Sequence, residues 1–160
     1  GSYIVKGHWK GWDIMRIMAI DYGDARTGIA ISDALGLLAG EVRVIQSRKQ
    51  EVVVAELEAL IREYAVSELV LGYPKNMNGT LGPRAEKSEA LAERLRETTG
   101  LPVSLWDERR TTVDAHRILS ETGNRGKKRK EKVDAVAATL ILEGYLTRKQ
   151  LERSRQETGQ

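Results

Sequence analysis

The spacing of apolar residues changes partway along this 160-residue chain, and that change most restricts its fold. Residues 16–21, 26–33 and 40–46 are strand-length segments joined by short Gly-containing connections, which predicts an antiparallel meander. From residue 53 the spacing becomes helical, and strand-like and helix-like segments then alternate. We therefore expect an α/β fold in which helices flank one mixed sheet.

The alternating part of the chain supplies the remaining elements. Pro83 and Gly100 are typical of the start and the end of a helix. We predict strands at 68–73 and 102–106, and helices at 53–64, 83–100, 111–122 and 131–145. The sheet would then have five strands, three in the antiparallel meander and two parallel to each other. The polar segment from Thr147 is expected to be frayed.

The domain boundaries are expected to lie near the two ends of the chain. Residues 1–14 begin with Gly-Ser, precede Met15 and do not have the pattern of a secretory signal, so we expect an expression tag. Residues 15–148 would form one domain, because single domains have about 100–200 residues. Residues 149–160 would form a polar tail.

The composition excludes several kinds of site. The chain has no Cys and two His, which excludes disulfides, zinc–thiolate sites and Cys nucleophiles. No apolar run approaches the roughly 20 residues of a membrane-spanning helix. These features are typical of a cytoplasmic protein without a membrane partner, and we expect that location.

Three carboxylates occupy suggestive positions along the chain. Asp21 follows the first predicted strand, Glu108 follows the last one, and Asp134 lies in the first turn of the final predicted helix. Such residues can converge at one end of a sheet, where oxygen ligands favour Mg²⁺ or Mn²⁺. Alternatively, Asp21 caps a turn and Asp134 compensates a helix dipole. Spacing alone leaves both interpretations open.

Positive charge is concentrated in one segment. The formal net charge is +3, but residues 125–132 (RGKKRKEK) carry six basic residues and one acidic residue. Without this segment and residues 1–14, which carry two basic residues and one acidic residue, the remaining chain has a net charge of −3. The segment is either a solvated loop or a phosphate-binding loop for nucleic acid. The Gly/Asn segment 76–83 is likewise either a plain connector or a substrate-facing loop, and no Walker or dinucleotide-binding motif occurs.

Four motifs in order resemble the YqgF family of Holliday-junction-resolvase-like proteins, which are also named as pre-16S rRNA nucleases. Residues 20–33 (IDYGDARTGIAISD) resemble its opening motif, and residues 106–112 (WDERRTT) resemble its D-E-R-x-T-T signature. Residues 72–82 (GYPKNMNGTLG) and 132–138 (KVDAVAA) are similar to its central motif and closing helix. One departure is Ala25, where many members carry Lys. The motifs span nearly all of the chain after Met15.

The resemblance implies a ribonuclease H-like fold and a divalent-metal-dependent nuclease. It implies Asp21, Glu108 and Asp134 as metal-binding catalytic acids, with Asp21 bridging two Mg²⁺ or Mn²⁺ ions. The implied activity is processing of the 5′ end of precursor 16S rRNA in ribosome biogenesis, with ribosomal precursor particles as partners and RNA favoured over DNA. We expect the chain to act as a monomer or a homodimer. The residues expected to contact nucleic acid are Arg26, Asn78, Arg109, Arg110, Lys127, Lys128, Arg129 and Lys130.

Two other functions remain compatible with these residues. A Holliday-junction resolvase or DNA-repair nuclease would use the same chemistry on branched DNA, and a dimer would be needed to cut two strands symmetrically. A non-catalytic RNA-binding factor in ribosome assembly would retain the fold without the reaction. The presence of all three candidate acids argues against the second alternative.

Overall fold

The computed structural model describes residues 15–73, 82–107 and 135–157, and the side chains of these residues except 156 and 157. The predicted helix at 111–122 and the loops at 76–81 and 123–130 lie outside the described residues. The strands are β1 (Arg16–Tyr22), β2 (Arg26–Ser32), β3 (Ala39–Gln46), β4 (Val66–Tyr73) and β5 (Val103–Asp107). The helices are α1 (Gln50–Tyr64), α2 (Pro83–Thr99) and, last among those described, α3 (Val136–Glu157).

The five strands form one mixed sheet in the order β3-β2-β1-β4-β5. The β1–β2 and β2–β3 pairs are antiparallel, whereas β1–β4 and β4–β5 are parallel. This confirms the predicted combination of an antiparallel meander with parallel strands. Because β1, β4 and β5 run in the same direction, Tyr22, Tyr73 and Asp107 end these strands on one side, which we name the carboxyl end of the sheet.

The two faces of the sheet are covered by different helices. Along β1, Met18 and Ile20 belong to the core with α1 and α2, whereas Ile17 and Ala19 pack against α3. The side chains of α2 in this core include Leu91 and Leu95, as the helical spacing predicts. Since side chains alternate between faces along a strand, Asp21 belongs to the same face as Ile17 and Ala19. The candidate acid on β1 is therefore on the α3 side of the sheet.

Helix α3 continues to Glu157, so the frayed segment predicted from Thr147 is wrong for the residues up to that point. The extension is held by contacts with the sheet. Lys149 forms an ion pair with Glu68 at 2.7 Å, and Gln150 donates a hydrogen bond to the Leu37 carbonyl oxygen at 3.3 Å. These tertiary contacts stabilise a polar helical segment that has little apolar spacing of its own.

The direction of α3 places its first turn near the carboxyl end of the sheet. Tyr145 and Lys149 both contact Glu68, which is close to the start of β4. Val136 lies nine residues before Tyr145, a distance of about 14 Å along a helix. Gly72 lies four residues after Glu68, a distance of about 13 Å along a strand. The start of α3 is therefore level with the end of β4.

Within residues 15–73, 82–107 and 135–157, none of the helices combines the length and the apolar character that crossing a bilayer requires.

The contact between α3 and β4 gives a prediction at alkaline pH. Burial, and then the hydrogen bond that its phenol donates to Glu68, raises the pKa of Tyr145 to about 12. A phenol in the unfolded chain titrates near 10, so the stability due to neutral Tyr145 is present below pH 10 and is lost as the pH rises towards 12. We expect wild type to lose more free energy of unfolding across this interval than Tyr145→Phe, as measured by denaturant titration at each pH. Equal losses in the two proteins would contradict the prediction.

Candidate active site at the carboxyl end of the sheet

Asp21 is the candidate site residue that the structure describes most fully. It lies on β1 next to the last residue of that strand and pairs with Gly28 of β2. Its side chain is 20% exposed, yet its Oδ1 atom is buried and has no hydrogen-bond partner among the described residues. A buried carboxylate oxygen without a partner is costly unless a charge or a ligand compensates it. This oxygen therefore fits a role as a cation ligand.

The electrostatic surroundings of Asp21 also fit a role as a cation ligand. Burial raises the pKa of its carboxyl above the usual value, and the positive charge of Arg84 partly offsets that effect. The nearest guanidinium nitrogen of Arg84 is 3.9 Å from Asp21 Oδ1, which is beyond hydrogen-bond distance. Arg84 thus compensates the carboxylate only partly, and a divalent ion would do so more completely.

The connection between β1 and β2 is closely packed beside Asp21. A Cβ atom at Gly23 would lie 2.4 Å from the Arg26 carbonyl oxygen, so only glycine fits this position without movement of the backbone. The Ser47 amide donates to the Ala25 carbonyl oxygen at 3.0 Å and joins the segment before α1 to this connection. Arg26, an expected nucleic-acid contact, is exposed at the start of β2 and so lies at the same end of the sheet as Asp21.

The other expected site residues lie outside the described residues. They are Asn78, Glu108, Arg109, Arg110, Lys127, Lys128, Arg129, Lys130 and Asp134. In the parts of the chain that the structure describes, no group of three His, Cys, Asp or Glu side chains could hold a metal ion. The described neighbours are nevertheless informative, because β5 ends at Asp107, one residue before Glu108. Helix α3 begins at Val136, two residues after Asp134.

A cavity of about 310 Å³ lies beside Asp21 on the α1 and α2 side of the carboxyl end. Three basic side chains contribute to it, and we name Arg48, Arg84 and Lys87 the cationic trio. The described residues that line the cavity are Tyr22, Gly23, Asp24, Arg48, Gln50, Arg84 and Lys87. Apart from Arg84, which also contacts Asp21, this cavity is separate from the acid that was expected from the sequence.

The exposed carboxylate of Asp24 shows that the trio is close together. Lys87 donates to Asp24 Oδ1 at 2.9 Å, and this hydrogen bond is the main reason why the pKa of Asp24 is lowered. The charges of Arg84 and Arg48 lower the pKa of the same carboxyl further. All three cations therefore act on one point at the wall of the cavity.

The cationic trio was not predicted from the sequence, although a signal was present. Arg84 and Lys87 lie in the first two turns of α2, and Arg48 lies just before the N-cap of α1. Basic side chains are electrostatically unfavourable at a helix N-terminus, where the helix dipole is positive. Such a placement in two helices is a reason to look for a bound anion.

Comparison with known sequences identifies one protein family that matches most of the chain. The model of the RuvX family, described as Holliday junction resolvase, matches residues 15–148. A "Putative pre-16S rRNA nuclease" of Desulfitobacterium hafniense is 47% identical over 146 residues, which cover 91% of this chain and 98% of that protein. A relative with the same name from Halothermothrix orenii is 48% identical over 132 residues, covering 82% of this chain and 94% of the relative.

Solved structures resemble the fold at low sequence identity. Thermus thermophilus RuvC in complex with a Holliday junction substrate is 13% identical, with a TM-score of 0.55 over 84% of this chain and 95% of that one. The fowlpox virus resolvase in complex with Holliday junction DNA is 10% identical, with a TM-score of 0.56 over 83% and 97%. These likenesses confirm the ribonuclease H-like fold that was expected from the sequence.

Proposed function

Because this chain belongs to the RuvX family, we propose that it is a divalent-metal-dependent nuclease that hydrolyses phosphodiester bonds. The observation that carries the proposal is the buried Oδ1 atom of Asp21 at the carboxyl end of the sheet, which has no hydrogen-bond partner within residues 15–73, 82–107 and 135–157. In open α/β sheets, ligands bind at the carboxyl ends of the parallel strands. The position and the chemistry of Asp21 therefore agree with a catalytic acid.

We propose that Asp21, Glu108 and Asp134 together hold Mg²⁺ or Mn²⁺ in a two-metal site. Glu108 directly follows the end of β5, and Asp134 precedes the start of α3, which is level with the end of β4. Asp21 belongs to the sheet face that α3 covers. When bound, such ions lower the pKa of water and stabilise charge on a phosphodiester.

The chain itself would bind and orient the strand. Arg26 is exposed at the site, and the proposed further contacts are Asn78, Arg109, Arg110, Lys127, Lys128, Arg129 and Lys130. Basic side chains bind nucleic acid mainly through its phosphates. No protein nucleophile is required, which suits a chain with no Cys and two His.

We propose precursor 16S rRNA, processed at its 5′ end, as the substrate. The names of relatives 47% and 48% identical support this choice. Ribosomal precursor particles would be the partners and the cytoplasm the location. The second candidate is a resolvase acting on branched DNA, which the description of the RuvX family and the fold of junction-bound RuvC favour. A homodimer would serve that reaction, because a two-fold axis presents two equivalent sites to two strands.

A cleavage assay on matched substrates tests the proposal. Purified protein is incubated with a precursor rRNA 5′ extension, single-stranded DNA and a four-way DNA junction, each with Mg²⁺, with Mn²⁺ or with a chelator, and the products are mapped. We expect metal-dependent cleavage of the RNA. Symmetrical cleavage of the junction alone would favour the resolvase, and RNA binding without cleavage in either metal would refute the nuclease.

A further inference from the structure

We propose that the cavity lined by the cationic trio is a phosphate-binding subsite, which holds a backbone phosphate of the nucleic-acid strand beside Asp21. The inference rests on the proposed function, since a nuclease needs its strand held next to the reacting bond. It assigns a binding role to three residues that lie outside the site predicted from the sequence. The subsite would position the strand and would not take part in the reaction itself.

The first argument is the balance of charge around the cavity. Arg48, Arg84 and Lys87 contribute three positive charges, and Asp24 is the only acidic residue among the described residues that line it. The ion pair between Lys87 and Asp24 is exposed on both sides, with 60% and 64% of the side chains accessible. Such exposed pairs are weak, so Lys87 is available to an anion at little cost.

The second argument is the placement of the trio at two helix starts. The N-cap residues of α1 and α2 are Lys49 and Gly82, whose side chains offer no acceptor to the first amides of the helices. Glu51 and Glu86 in the first turns offset part of the dipole charge, but the trio adds three positive charges to the same ends, which is unfavourable in the free protein. A bound phosphate removes this repulsion, because it is attracted by the side chains and by the helix ends at once.

The third argument is the position of Arg84 between the cavity and the acid. Arg84 lines the cavity, and its guanidinium is 3.9 Å from Asp21 Oδ1. Asp21 lies on the α3 side of the sheet, whereas the cavity opens on the side of α1 and α2. A phosphate in the cavity would thus neighbour the phosphate at Asp21, and one strand would pass across the carboxyl end of the sheet.

The size of the cavity suits one phosphate group of the strand. A volume of about 310 Å³ is at the lower end of the range of ligand pockets in proteins. RNA and DNA present the same phosphate, so the subsite by itself recognises the charge and not the sugar. Recognition of sequence is not expected from contacts to phosphate.

The test measures binding without metal, so that it does not depend on cleavage. A fluorescently labelled 12-nucleotide RNA and a DNA of the same sequence are titrated with the full chain in a chelator, at several salt concentrations. Arg48→Gln/Lys87→Gln is compared with Arg62→Gln/Arg94→Gln, which removes the same charge from exposed positions of α1 and α2 outside the cavity. Arg84→Gln is measured separately because it also neighbours Asp21.

The inference expects a specific change in the salt dependence. Each neutralised phosphate of a single strand contributes about 0.7 to the slope of log affinity against log salt, so the cavity double variant, which loses one phosphate contact, should lose about 0.7. Its affinity should fall roughly tenfold for RNA and DNA alike, and inorganic phosphate should compete with the strand on wild type more effectively than on the variant. The control double variant should keep the wild-type slope more closely.

Equal slopes and affinities in the two double variants would overturn the inference. The result is separable from the fate of the proposed function. If wild type cleaves RNA with metal but the cavity variant binds like its control, the inferred phosphate subsite is refuted and the proposed nuclease function is supported. If wild type does not cleave but the cavity variant alone loses binding, the inferred phosphate subsite is supported and the proposed nuclease function is refuted.

Discussion

Asp21→Asn is expected to lower metal-dependent cleavage by more than about 100-fold while leaving the fold intact. Loss of a group that merely orients a metal ligand typically costs 10- to 100-fold, and loss of a ligand should cost more. The amide has nearly the same shape as the carboxylate, so the packing around β1 is unchanged. Cleavage of the precursor rRNA by equal amounts of the two proteins, with Mg²⁺ or Mn²⁺, measures the effect.

The same variant should be at least as stable as wild type when no metal is present. Burial raises the pKa of Asp21, so the charged carboxylate disfavours the folded state above the ordinary value of 3.8. The neutral form stabilises the fold relative to the charged form, and this advantage is lost as the pH rises through the raised pKa. At pH 7 we therefore expect Asp21→Asn to have an equal or higher free energy of unfolding. Added Mg²⁺ or Mn²⁺ should stabilise wild type alone.

Asp33→Asn is the matched control for this experiment. Asp33 follows β2 at the opposite end of the sheet, and its Oδ1 accepts the Leu37 amide at 2.9 Å, a bond that an asparagine oxygen can also accept. Cleavage should be retained in this variant. Full activity of Asp21→Asn, or equal losses of cleavage in both variants, would show that Asp21 is not part of the active site.

Gly23→Ala is expected to damage both the fold and the reaction. The added Cβ would lie 2.4 Å from the Arg26 carbonyl oxygen, so the ends of β1 and β2 must move apart. Overpacking of this kind typically costs 1–3 kcal/mol, and we expect a loss of about 2 kcal/mol in the free energy of unfolding. A displacement of about 1 Å at an active site can lower the rate about 100-fold. Denaturant titration and the cleavage assay measure the two effects.

Gly100→Ala is the control that distinguishes an effect of reduced stability from an effect of a displaced active site. Gly100 ends α2 with φ 71°, and a Cβ there meets no atom within 4 Å. The substitution strains the backbone by about 1 kcal/mol at the far end of α2 from the site. Its stability should fall while its cleavage at low temperature remains close to that of wild type. A Gly23→Ala protein with normal cleavage would show that this connection does not position Asp21.

Most of the fold could be predicted because its elements have clear periodicity. The strands alternate or are continuously apolar, and the buried faces of α1 and α2 follow the helical spacing. The start of α1 was predicted three residues too late, at Val53, because Glu51 and Val52 in its first turn are exposed and carry no apolar pattern. The end of α3 was missed because its stability comes from Glu68, which is 81 residues away from Lys149.

The residues around the candidate site likewise differ in whether the sequence alone reveals them. Asp21 could be found from the sequence because a strand end and a family motif coincide there. The cationic trio could not, since Arg48 and Arg84 are far apart in the sequence and meet only through the parallel pairing of β1 with β4. Local patterns do not show which helix starts become neighbours. Only the basic residues at the start of α2 were visible beforehand, because the predicted start of α1 at Val53 lies five residues after Arg48.

The order of the described elements has a consequence for how the chain is made. One face of the sheet, with Ile17, Ala19, Ala30 and Val70, packs against α3, the last of these elements in the sequence. During synthesis the five strands leave the ribosome before this helix does, so the apolar surface that α3 covers is exposed until α3 has also emerged. Nascent chains in this state are prone to associate, and early termination would leave them so permanently. Burial of this face of the sheet is thereby tied to the synthesis of α3.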